Sequence, residues 1–115
     1  MAKELSDEFI KVVVIPQVKN IIELRSRINL SNSELDLEKV YITLKNYISS
    51  IKALLISIPK QLFGEDYIRL YRRIEGLELS VLKINDSNQI IRALNAADEA
   101  IVDLMERIYN MNLLL

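Results

Sequence analysis

The chain has no cysteine, no histidine and no tryptophan among its 115 residues, and only two glycines and two prolines. Without cysteine there is no disulfide framework, no thiolate nucleophile and no thiolate metal ligand, and the cytoplasm is the expected compartment. Without histidine the chain lacks the commonest general base, the commonest metal ligand and the usual switch near neutral pH. Zinc and haem sites are thereby disfavoured, as are Ser-His-Asp and Cys-His nucleophiles. So few glycines and prolines cannot supply the turns of a sandwich or barrel. There is no excess of charge of either sign: 15 basic residues face 16 acidic ones. A protein that grips a nucleic-acid backbone over its whole surface usually carries a basic surplus. Long hydrophobic runs are missing too. The run Val12 to Ile15 is as long as any, and a membrane span needs about 18 apolar residues. The N-terminal stretch carries Glu4, Asp7 and Glu8 rather than the basic start of a secretory signal.

What remains is half apolar residues, arranged with helical period. The length suits one domain, 1–115, with a core of its own. A first helix is expected from about Ser6 to Ile28. Ser6 can cap it, and Asp7 and Glu8 suit the positive end of the helix dipole. Pro16 should kink it. The β-branched run from Phe9 to Ile15 also fits a strand, but nothing else in the chain could pair with one. Ser31 and Glu34 read as a capping box, with Leu30 and Leu35 as its hydrophobic staple. A second helix then follows to about Ile58, with Leu37, Val40, Leu44, Tyr47, Ile51, Leu54 and Ile58 at alternating spacings of three and four. A third, from about Glu65 to Ile84, repeats that spacing through Tyr67, Leu70, Ile74, Leu77 and Val81. Gly76 inside it marks either a close helix crossing or nothing. Asn85, Asp86 and Ser87 form a turn and cap, with Gln89 three residues after Asp86. A fourth helix carries Ile90, Leu94, Ala97, Ile101, Leu104, Ile108, Met111 and Leu115. Short connections make neighbours antiparallel. The expectation is an all-α, up-down four-helix bundle.

The apolar stripes are wider than one seam per helix requires. Tyr41, Ile42, Ile48, Leu55 and Ile56 add to the second helix, and Ile91, Val102 and Met105 to the fourth. Val12 and Val13 are apolar next to the kink, and Leu113 and Leu114 end the chain in grease. Wide stripes either thicken one core or form an interface. The candidate protein interface is Val12, Val13, Tyr41, Ile42, Leu55, Ile56, Tyr71, Val102, Met105, Leu113 and Leu114, with a second copy or another protein as partner.

Two polar constellations compete with that reading. Arg69, Arg72 and Arg73 share one side of the third helix and suit forked phosphate contacts. They make nucleic-acid binding the second reading, against a simple solvated face paired with Glu65 and Asp66. The acids Glu75, Glu78, Asp98, Glu99, Asp103 and Glu106 raise Mg²⁺-dependent nucleotide hydrolysis as a third, since hard cations take oxygen ligands. All-α nucleoside-triphosphate pyrophosphohydrolases use E-x-x-E followed by E-x-x-D. Here Glu75 and Glu78 match the first half, but Glu99 and Asp103 are four apart and Asp103-x-x-Glu106 is reversed. No P-loop, dinucleotide fingerprint or nucleophile elbow is present. The expectation is therefore a protein without a catalytic site, metal or cofactor, acting as a helical interaction module: a homo-oligomer or a small accessory subunit.

Overall fold

The computed structural model describes residues 5–29 and 37–113. It is a four-helix bundle in which consecutive helices pack against each other, and no strand occurs among the described residues. Helix α1 comprises an α-helical turn at Asp7–Phe9, a π-helical stretch at Ile10–Val14 and an α-helix at Ile15–Ser26. Helices α2 (Leu37–Ser57), α3 (Asp66–Val81) and α4 (Ser87–Leu113) follow. A short 3₁₀ turn, Lys60–Leu62, sits in the α2–α3 connection.

Local chemistry sets the ends. Ser6 Oγ accepts from the Phe9 amide at 3.1 Å and caps α1. Asp86 Oδ1 accepts from the Gln89 amide at 2.8 Å, while Gln89 Oε1 accepts from the Asn85 amide at 2.7 Å. The two side chains thus close the start of α4 from both directions. The capping box at Ser31 and Glu34 and its staple lie outside the described residues, as do Leu114 and Leu115.

The disturbance expected at Pro16 takes the form of a π turn. The Ile15 amide donates to the Ile10 carbonyl, five residues back. Proline has no amide hydrogen, and its ring crowds the preceding turn, so a wider turn accommodates it without breaking the helix. The stretch at residues 9–15 is accordingly helix and not strand. Gln17 Nε2 reinforces the site by donating to the Val13 carbonyl at 3.1 Å and to Ser57 Oγ at 3.0 Å, which also ties α1 to the end of α2.

Helix α2 is the hub. It packs against α1, α3 and α4, whereas the backbones of α1 and α4 scarcely approach each other. A helix with three neighbours must be apolar over most of its circumference. This corrects the expectation for Leu55, which with Ile48 is fully buried in the chain's own core and so is not an interface residue. Ile42 and Ile56, on the side of α2 that no helix covers, stay exposed.

The Cα envelope measures 52 × 25 × 16 Å. With axes roughly 10 Å apart and Cα cylinders of about 2.3 Å radius, three helices abreast span about 25 Å and two layers about 15 Å. The bundle is therefore flattened. Among the described residues α4 packs on α2 and α3 but its backbone scarcely approaches α1, which leaves a groove between α1 and α4. No helix among the described residues is long and apolar enough to cross a membrane.

A candidate protein-docking groove between the first and last helices

The groove between α1 and α4 measures about 570 Å³. Its walls are Ile21, Ile22, Arg25 and Ile28 of α1 and the turn after it, and Asp98, Ile101 and Val102 of α4; Tyr47 of α2 closes its depth. Ile21 and Ile28 are buried and Ile101 is half-buried, but Ile22 is 62% exposed and Val102 56% exposed. Farther along α4 the apolar surface continues through Met105 to Tyr109, itself 62% exposed. The residues Ile101, Val102, Met105 and Tyr109 recur at helical spacing, so they form one continuous face.

One polar node crosses the groove. Arg25 Nε donates to both oxygens of Asp98, at 2.8 and 3.1 Å, and its Nη1 donates to the Ile28 carbonyl. The Tyr47 hydroxyl donates to Asp98 Oδ1 at 2.6 Å. Tyr47 is only 1% exposed, and burial, followed by the hydrogen bond to Asp98, raises its hydroxyl pKa well above the ordinary value. The node satisfies every member that is taken out of water, and it fixes the level at which α1 and α4 stand opposite each other.

The expected interface residues fall on several faces. Val102 and the half-buried Met105 lie on the groove side of α4. Val12 is exposed on α1 and Val13 half-buried. Ile42 and Ile56 lie on the outer side of α2, two heptads apart. Tyr41 is half-buried against the core. Tyr71 packs its ring on Tyr67, with centroids 6.1 Å apart, and Lys52 Nζ stands 5.2 Å from the Tyr71 ring centroid. The backbone of Leu113 is the last turn of α4. Ile22, which lines the groove, and the exposed Ile15 and Tyr109 were not among the expected interface residues. Their signal is heptad spacing on α1, Ile15 to Ile22, matched by Val102 to Tyr109 on α4.

The arginine face does not hold together as a set. Arg73 turns to α4 and meets Asp103 at 3.3 Å and Glu99 at 3.6 Å. Arg69 stands 3.8 Å from Asp66, one of the two acids expected beside it. Arg72 is exposed. The acidic set is similarly divided. Glu78 pairs with Lys52 at 2.8 Å, and Asp103 also pairs with Arg107, which holds Asp66 as well. Among the described residues no group of three or more acidic side chains converges as metal ligands would.

Fold and surface together define a helical bundle with a groove between its first and last helices that is lined largely by aliphatic side chains. No protein-family model matches the chain, and no curated protein or solved structure matches it.

Proposed function

We propose that this chain is a non-catalytic helical interaction module of the cytoplasm, and that its docking surface is the groove between α1 and α4. The observation that carries the reading is the combination of groove and chemistry. Among the described residues an aliphatic groove runs between α1 and α4, and Ile22, Val102 and Tyr109 beside it are more than half exposed. Helices commonly lay an apolar face into such grooves, anchored by residues at heptad spacing. The polar node at Arg25 and Asp98 crosses the groove, so a docked surface meets apolar walls and one charged strip that sets its level.

A photoreactive amino acid at position 102, in the cell of origin, tests this. The expected result is a discrete adduct identified by mass spectrometry, absent when the same group replaces Ile68, which is exposed on α3. Equal background labelling at both positions would count against the reading.

A further inference from the structure

The crests of the two groove walls match one another. Arg25 opposite Asp98 fixes the register of the antiparallel pair. Stepping along α1 towards its start and along α4 towards its end puts Ile22 level with Val102, Lys19 with Glu106, and Ile15 with Tyr109. Each crest is thus apolar, charged, apolar, with the charge basic on α1 and acidic on α4. Lys19 and Glu106 are both exposed, and neither forms an ion pair among the described residues. Lys11, a further turn along α1, is also basic and exposed.

On the reading that this groove docks protein, we infer that the surface closing over it is that of a second copy of this chain. The two copies meet across a two-fold axis parallel to the bundle, with α1 of each lying antiparallel along α4 of the other. Such a contact is isologous, so one match is used twice. Ile22 meets Val102 of the second copy, Ile15 meets its Tyr109, and Lys19 meets its Glu106. The alternative two-fold axis, across the bundle, lays α1 on α1 and sets lysines against lysines. Charge selects the first arrangement, because like charges placed together suppress the wrong pairing. Two helices about 10 Å wide, in contact over about 24 Å, cover about 500 Å² per copy, or about 1,000 Å² in all. That is the lower bound for a specific interface, so the dimer is reversible and depends on concentration.

Sedimentation equilibrium over a concentration series is the test, using the full chain and two charge reversals, Lys19→Glu and Glu106→Lys. Wild type should move from monomer to dimer at high micromolar concentration. Each reversal alone sets like charges together at two symmetric places and should weaken dimerisation by about tenfold or more. An equimolar mixture of the two variants should regain dimers. In the mixed dimer, the reversed position of each variant faces the reversed position of the other, which restores an opposite-charge pair in place of a repulsion. Lys19→Gln, which removes the charge without inverting it, should fall between. A wild type that stays monomeric throughout overturns the second copy as the covering surface, and so does a dimer indifferent to both reversals. An adduct from position 102 with a protein of different mass would in that case leave the docking groove standing.

Discussion

Leu55 and Ile56 are neighbours in the chain with opposite surroundings. Leu55 is wholly buried and Ile56 is 53% exposed. Leu55→Ala should cost about 2–5 kcal/mol, the transfer of the lost methyl groups plus the cavity they leave. Ile56→Ala should stay within about 0.5 kcal/mol, as a surface change does. Urea unfolding of the two variants checks both. The polar node gives a second prediction. Asp98→Ala leaves the buried Tyr47 hydroxyl and the Arg25 guanidinium without their acceptor. The Arg25 and Asp98 side chains are 39% and 35% exposed, so solvent screening reduces the loss to about 1–2 kcal/mol. The same node sets a pH dependence. The folded pKa of Tyr47 is raised by burial and by Asp98, so the unfolded chain gives up this proton first as pH rises. Stability from Tyr47 is complete below its unfolded value of about 10 and declines above it, by at most about 1.4 kcal/mol per pH unit. Tyr47→Phe should show a shallower loss of stability than wild type between about pH 9 and 11, either side of that unfolded value, measured by the same urea titrations. These residue contacts were only partly legible in the sequence. The heptad positions of α2 identified Tyr47 as a core residue, but its bond to a carboxylate 51 residues later depends on how helices α2 and α4 are placed.

At the scale of the element, caps and periodicity were well written. Ser6 and the Asp86–Gln89 pair act where their spacing suggested. The two glycines separate cleanly by structure. A Cβ added at Gly76 meets nothing within 4 Å, so no helix crosses closely there, and Gly76→Ala should raise stability by about 0.5–1 kcal/mol. Gly64 has φ of +60°, in the left-handed region, where Gly64→Ala should cost about 1–2 kcal/mol. Thermal melts of the two variants should move in opposite directions. Pro16 illustrates the limit of reading elements from sequence. A proline inside an apolar periodic run announces a disturbance, but whether the helix breaks, bends or widens into a π turn depends on what holds its flanks. Here Gln17 and the end of α2 do so.

At the scale of the molecule, four helices in antiparallel succession followed from four periodic segments and short connections. The flattening did not. Stripe width tells how much of a helix is covered, not by how many neighbours, and α2 is broad because it touches all three others. The surplus apolar residues therefore divided into a deeper private core, with Ile48 and Leu55, and an exposed remainder, of which Val102 lines the groove while Ile42 and Ile56 lie on the outer side of α2. Val102→Ala, at the edge of that groove and 56% exposed, should weaken assembly more than it weakens folding, a difference that sedimentation and urea unfolding of the same variant would read.

The most direct measurement is hydroxyl-radical footprinting of Ile22, Val102 and Tyr109 in cells of origin and in the purified chain at high dilution, with Ile68 as internal reference. If the groove between α1 and α4 docks protein, the three side chains are protected in the cell and oxidised freely when dilute, while Ile68 reacts alike in both. Equal oxidation of all three in both settings would contradict a covered groove and the function built on it.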